Sequence, residues 1–384
     1  MTDNHLHIVA FDIPFPADYG GVMDIFYKVK SLHQLGVKIT LHCSQYRERT
    51  PQKELLKYCE AVHYYPRNTT PLSMASLKPY IVTSRAHKNL LKNLQANAYP
   101  ILFEGLHSCA FIDHATLKNR LKILRMHNVE WEYYRNLKDL ENNTFLKFYY
   151  RTESYKLKRF EKKILQYSQV LLTISPDDTV YYEQLVEQID LEKNITIEYI
   201  PPFHPNESVV CKVGRGEGVL FHGKLSVPDN EQVALYLIKK VFSKKDIPLS
   251  IAGKEPSETL IEAAKPYAHV TIVPNPSEES MREMIQNAQI NVVLSLQRSG
   301  MKLKLLNALY RGRFCIVNNK IIDNTGLDSL CYVRNTSKDI AATVESLMNV
   351  QFSQKQIEER KIVLEKTFSN KKNGQKIVEI LRGS

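Results

Sequence analysis

Cysteine is sparse and unpaired in this sequence: Cys43, Cys59, Cys109, Cys211, Cys315 and Cys331 are scattered, with no Cys-x-x-Cys spacing. That excludes a zinc site of the usual spacing and argues against a disulfide framework; a reduced, cytoplasmic chain with buried thiols is expected. No apolar run reaches the about 18 residues of a membrane-spanning helix. The start, "MTDNHLHIVAF", lacks a basic region followed by a long apolar core, so no signal peptide is expected. No paired Asp-x-Asp stands beside an apolar strand to hold Mg²⁺. Helix-turn-helix, zinc-finger and RNA-recognition signatures are missing, which leaves a nucleic-acid function without a motif.

What is present is length, apolar content and positive charge. The chain has 384 residues, 43% of them hydrophobic, enough for two domains with separate cores. The formal charge is +11. The excess is uneven: residues 117–166 hold 13 Lys/Arg against 6 Asp/Glu. Such a surface suits nucleic acid, an anionic lipid, a phosphorylated ligand or simply a solvated helix face.

Short apolar runs alternate with helical patterns, the signature of parallel sheets with crossover helices. The first half reads "HIVAFDI", a helix "VMDIFYKVKSLHQLG" ending at Gly36, then "KITLHC", "PILFEG", "KILRMHN" and "VLLTIS". A long helical stretch from Trp131 to Gln166 interrupts them. Around "PPFHPN" the pattern stops, and the segment to Gly218 has linker composition. The alternation then restarts with "GVLFHGK", "LSIAG", "VTIVPN", "INVVLSL", "FCIVNN" and "CYVRN". The expectation is an α/β protein of two Rossmann-like domains, residues 1–203 and 204–352, facing across a cleft. A helical tail, 353–384, is expected to return to the first domain. Ligands of such sheets lie beyond the carboxyl ends of the strands, so the loops that follow strands are the places to look.

Five loops carry candidate residues. "PFPADYGGVMDIF" opens the first helix; Gly20 and Gly21 allow close backbone approach, and the helix start favours an anion. A tight strand-to-helix turn needs the same glycines. "FEGLHSC" offers His107, as a general base, as a sugar-hydroxyl contact, or as a histidine bonded to nearby backbone. "RMHNVEWEYYRNL" brings His127, Asn128 and Glu130 to a strand end, as a polar pocket or with Asn128 as a helix cap. "LFHGKLS" offers Gly223 and Lys224 to a diphosphate. In "SGMKLKLLNALYRG", Gly300, Lys304, Asn307 and Arg311 share one helical face, while Met301, Leu305 and Leu309 form an apolar stripe. A lysine near a helix start opposes the dipole, and a bound anion there would resolve the conflict.

Together these loops resemble glycosyltransferase family 4, retaining nucleotide-sugar enzymes of GT-B fold. Pro16–Gly21 is similar to that family's N-domain glycine loop, "HNVE" at 127–130 to a signature of one branch, and "GVLFHGKLSVPDN" to the strand opening the donor domain. "SGMKLKLLNALYRGR" resembles that branch's Gly-x-Gly-x-x-x-Lys-x-Leu-Glu-Ala segment. The resemblance implies a hexosyltransferase that moves sugar from a UDP- or GDP-linked donor to a glycan or lipid-linked acceptor, in surface polysaccharide or glycoconjugate synthesis. Retention of configuration and independence of metal or other cofactor are implied with it. His107, Lys224 and Lys304 would be catalytic. Gly20, Gly21, Gly223, Asn275, Ser299, Gly300, Met301 and Asn307 would bind donor. His127, Asn128 and Glu130 would line the acceptor pocket. The chain departs from the family's glutamate pair at Ser299 and Asn307. An asparagine keeps one acceptor oxygen for a ribose but loses the charge, which leaves a catalytically inactive nucleotide- or partner-binding protein as the alternative. Finally, "FLKFYYRTESYKLKRFEKKILQ" interleaves aromatics with cations. It suits peripheral contact with an anionic membrane at its inner face, or a long helix packed on the first domain.

Overall fold

A computed structural model describes residues 4–46, 48–70, 73, 76–189, 194–296 and 303–383. The chain divides into two compact units. The first comprises 1–205 with 368–384, and the second 206–367.

The first unit is built on a seven-stranded sheet of order β3-β2-β1-β4-β5-β6-β7, every pair parallel. The strands are β1 His5–Ala10, β2 Lys38–Gln45, β3 Ala61–Pro66, β4 Ile101–Glu104, β5 Lys122–Arg125, β6 Val170–Thr173 and β7 Thr196–Tyr199. β4, β5 and β6 are buried at every position. This is why they read as short continuous apolar runs rather than alternating ones. The first helix, Gly20–Gln34, buries Val22, Ile25, Phe26, Val29 and Leu32 at helical spacing. It stops where Gly36 turns to φ +81°.

The second unit repeats the logic with six parallel strands of order β10-β9-β8-β11-β12-β13. These are β8 Glu217–His222, β9 Leu249–Gly253, β10 Val270–Pro274, β11 Ala288–Val293, β12 Phe314–Val317 and β13 Tyr332–Val333. Each sheet reverses its strand order once, between β1 and β4 and between β8 and β11.

Three expectations are corrected. The helical stretch 131–166 is two helices, Glu130–Leu140 and Thr144–Leu165. Asn143 breaks it by turning its side chain to accept from Phe145 N and Leu146 N, a cap that competes with helix continuation. The segment of linker composition is partly packed. Val209 and Cys211 lie against the second core, Val210 N donates to Tyr310 O at 2.7 Å, and Gly214 pairs with Phe352. The tail divides. Gln354–Thr367 belongs to the second unit, while Asn370–Arg382 lies on the first helix, with Ile377 and Val378 in the first core. A side chain at Gly374 would meet Ser31 Oγ at 2.7 Å, so the two helices touch backbone to side chain there.

Candidate functional site

In both sheets the reversal of strand order opens a crevice at the carboxyl ends of two neighbouring strands. In the second unit those ends belong to β8 and β11. β8 delivers Gly223 and Lys224. Gly223 lies so close to β9 that a Cβ on Gly253 would stand 1.7 Å from the Gly223 carbonyl oxygen, so only glycine fits at 253. Beside them Asn275 takes the left-handed conformation, φ +49°, and its Oδ1 accepts from Glu255 N at 2.9 Å.

Lys304 stands in the first turn of the helix Leu303–Arg311, with Leu305, Leu306, Ala308 and Leu309 buried behind it. Its Nζ donates to Asn230 Oδ1 at 2.8 Å and lies 5.6 Å from the Phe221 ring centroid. Asn230 in turn donates to Lys224 O at 2.9 Å. One amide thus joins the Lys304 ammonium to the main-chain carbonyl of Lys224, and the sequence reading missed it. A signal was there: Asn230 opens the helix that follows Gly223–Lys224, in the same quoted segment. Asp229 beside it accepts from Ser295 Oγ at 2.9 Å and Leu296 N at 2.7 Å, tying down the end of β11. His222 is buried, its Nε2 has no hydrogen-bond partner among the described residues, and burial, aided by Lys304, lowers its pKa to about 4. Lys224 is mostly exposed and 3.3 Å from Glu255, a pair of little energetic weight.

Asn307 and Arg311 lie on the same helix face as Lys304. Asn307 Oδ1 accepts from Asn206 Nδ2 at 2.8 Å, and Arg311 Nε donates to Asn206 Oδ1 at 2.9 Å. Ser299, Gly300 and Met301 lie outside the described residues.

In the first unit, Gly20 and Gly21 begin the first helix. Its N-cap Tyr19 makes no side-chain cap bond, and no acid lies in the first turn. Gly20 faces open space, whereas a Cβ on Gly21 would stand 2.7 Å from Phe11 Cζ. The Tyr19 hydroxyl donates instead to Asp12 Oδ2 at 2.7 Å. The His107 ring lies tilted at 39° against Phe11, centroids 5.2 Å apart. Its Nδ1 is buried without a hydrogen-bond partner among the described residues, 4.0 Å from Glu130 Oε1. Burial, with Arg85 and His127 nearby, holds His107 well below the usual imidazole range, and burial pushes Glu130 up to about 7. Asn128 does not cap the helix, whose N-cap is Val129; its Nδ2 reaches Glu130 Oε1 at 3.5 Å.

Behind this edge lies a buried charge network. Lys28 Nζ donates to Glu104 at 2.7 and 2.9 Å and to Asp24 at 3.0 Å. Arg125 donates to Asp24 at 3.0 and 3.1 Å. His127 Nε2 donates to Glu104 Oε2 at 2.8 Å, and Phe203 N donates to Asp24 Oδ1 at 2.8 Å. Burial opposes ionisation of Asp24 and Glu104, but Arg125 and Lys28 outweigh it for Asp24, and Lys28 for Glu104, so both stay below their ordinary values. Asp24, Glu104 and His127 bring three ligand atoms within 4.8 Å of one another. Lys28 and Arg125 already neutralise those carboxylates, so the donor set does not fit a metal. The sequence brought Glu104, Arg125 and His127 into the strand-end segments singled out above, but nothing local in it pairs them with Asp24 and Lys28 of the first helix.

The two parallel-sheet α/β units make this a GT-B fold, and solved glycosyltransferases share it. TarM superposes with a TM-score of 0.69 at 10% identity, covering 99% of either chain. The structure of a mutant of S. aureus TarM holds fondaparinux, alpha-GlcNAc-glycerol and UDP. Anabaena Alr3699/HepE, in complex with UDP and glucose, superposes with a TM-score of 0.61 at 8% identity over 99% of either chain. Residues 216–349 match the family model described as "Glycosyl transferases group 1". An uncharacterized 44.6 kDa protein in the cps region of Klebsiella pneumoniae is 27% identical, over 92% of this chain and 97% of its own length.

Proposed function

We propose that the protein is a glycosyltransferase of polysaccharide synthesis that takes a sugar from a nucleoside diphosphate, most simply UDP, and passes it to a glycan or lipid-linked acceptor with retention. The observation that carries this reading is the Lys304–Asn230–Lys224 arrangement at the β8/β11 strand ends, inside the segment that matches the glycosyltransferase model. As the bond from the anomeric carbon to the phosphate oxygen breaks, negative charge gathers on the departing diphosphate. Lys304 and Lys224 place positive charge there, the task a metal ion performs elsewhere. Gly223 and Gly253 let backbone approach the phosphates, and Asn275 is assigned to the base side. At the first sheet's edge, neutral His107 orients a sugar hydroxyl, and His127, Asn128 and Glu130 form the acceptor pocket. Retention requires the acceptor oxygen to enter on the face the diphosphate leaves.

A second reading, nucleotide binding without transfer, is favoured by Asn307, whose oxygen is engaged by Asn206. Thermal shift with UDP, GDP, ADP and CMP tests both, because a ligand of the native state raises the melting temperature by mass action. A rise with one nucleotide, lost in Lys304→Ala, is expected. No rise with any of them refutes the donor site. A rise with no release of nucleotide from any UDP- or GDP-sugar favours the second reading.

A further inference from the structure

The helix Thr144–Leu165 carries its charge on opposite sides. Its two acids, Glu153 and Glu161, are both buried. Glu153 receives Lys156 and the Tyr80 amide, and Glu161 receives the Tyr181 and Tyr182 hydroxyls. The outward face therefore presents Lys147, Arg151, Lys158, Arg159 and Lys162 with no carboxylate of the same helix among them. None of these five makes an ion pair among the described residues.

The same face carries large apolar side chains that a soluble surface does not need. Phe145 is 85% exposed, Phe148 69% and Tyr155 64%, with Leu146 beside them. Phe145 and Phe148 fall at the start of the helix, at the tip of the hairpin made with Glu130–Leu140, and the cations follow along the stem. From Phe145 to Lys162 the face runs about 25 Å at 1.5 Å per residue. The core does not require this pattern, since Leu157, Phe160, Ile164 and Leu165 fill the inward face.

We propose that this hairpin is a membrane-docking element whose tip, Phe145, Leu146 and Phe148, enters the interface of an anionic bilayer while the cationic stem lies along its headgroups. Aromatic and aliphatic side chains at one end, and lysine and arginine without acids along the rest, are the composition of an interfacial helix. The anionic surface potential attracts such a stem and decays within a Debye length. This inference stands apart from the glycosyltransferase reading, because it uses none of the strand-end residues.

The test is flotation of the full chain with vesicles of phosphatidylcholine alone and of phosphatidylcholine with phosphatidylglycerol. Partition is expected only with the anionic vesicles and is expected to fall as salt rises. Phe145→Ser/Phe148→Ser and Arg151→Gln/Arg159→Gln/Lys162→Gln are each expected to weaken it by about tenfold. All five positions are exposed, so the melting temperature, and any nucleotide-induced shift in it, should match the wild type. No partition with anionic vesicles, or partition unchanged in both variants, overturns the proposal. So does a concentration-dependent dimer that the Phe variant abolishes without vesicle binding, which would assign the face to a second copy of the chain.

Discussion

Asn307 Oδ1 accepts a hydrogen bond from Asn206 Nδ2 at 2.8 Å, and Arg311 closes the group by donating to Asn206 Oδ1. The side chain that stands where the resemblance would place a glutamate is therefore part of a neutral amide pair that pins the start of the second unit to the helix Leu303–Arg311. A carbonyl oxygen has a second lone pair, so the ribose role and the structural role are compatible.

Removing the amide separates them. Asn307→Ala leaves Asn206 Nδ2 without this acceptor and is expected to cost about 1 kcal/mol in stability. If Asn307 also meets the ribose, the nucleotide-induced thermal shift falls by more than the stability loss explains. An unchanged shift in the destabilised variant leaves Asn307 a structural residue only. Urea titration, with and without UDP, reads both quantities.

Gly253 is the sharpest steric prediction. A methyl group there would overlap the Gly223 carbonyl, so β8 and β9 cannot keep their register at this point. Gly253→Ala is expected to destabilise the second unit by more than about 2 kcal/mol and to abolish the nucleotide shift. Gly20→Ala is the control. Its Cβ meets nothing within 4 Å, so stability should hold. A stable Gly253→Ala protein would contradict the packing of Gly223 on β9.

Glu130 and His107 make a pH prediction. Burial raises Glu130 from 4.5 to about 7, and burial, with Arg85 and His127 nearby, holds His107 well below its ordinary value. A raised carboxyl binds more protons folded than unfolded, so its stabilising contribution is full below pH 4.5 and is lost as pH rises through 7. Glu130→Gln is expected to become more stable relative to wild type as pH increases from 5 to 8. The same substitution should remove an inflection near pH 7 from the rate of sugar transfer, if Glu130 acts on the acceptor side. Melting curves across that range check the first expectation, and the transfer profile checks the second.

Much of the architecture was legible because parallel strands buried on both faces leave continuous apolar runs, and thirteen strands alternate with helices among the described residues. Gly223, just past β8, stood out in its segment, whereas Gly253 at the end of β9 did not. What the pattern could not show was partnership across distance. Lys28 pairs with Glu104 across 76 positions, and Lys304 with Asn230 across 74. The Lys28 pairing leaves no local signature, and for the second pair the sequence shows only that Asn230 lies in the segment that carries Lys224. The break at Asn143 was readable in principle, since an asparagine before Thr144 is a cap, but the apolar period runs through it on both sides.

The clearest acid-sensitive element lies away from the strand-end residues, on β1, β2 and β3. Asn93 Nδ2 donates to the Tyr65 hydroxyl at 2.8 Å, and that hydroxyl donates to His42 Nδ1 at 2.8 Å. His42 Nε2 then donates to His7 Nδ1 at 2.8 Å, and His7 Nε2 donates to Asn97 Oδ1 at 2.8 Å. Every hydrogen in this chain points one way, and the order closes only when both imidazoles are neutral. Protonating His7 sets its Nδ1–H against the His42 Nε2–H, and protonating His42 takes away the acceptor that the Tyr65 hydroxyl uses, so either charge breaks the order at a buried contact. Burial accordingly lowers His7 to about 4 and His42 well below its ordinary value. With folded values below the unfolded 6.5, the unfolded chain binds more protons, so stability is present above pH 6.5 and is lost as pH falls toward 4. For His7 alone the window amounts to about 3 kcal/mol. Wild type is therefore expected to lose this contribution between pH 6.5 and 4. His42→Gln, which breaks the chain at its centre, is expected to be less stable at pH 7.5 and to show a shallower loss on acidification. Urea unfolding at stepped pH measures the two slopes. Equal slopes in both proteins would mean that the histidines do not titrate with folding and that the neutral chain adds nothing to the pH dependence of stability.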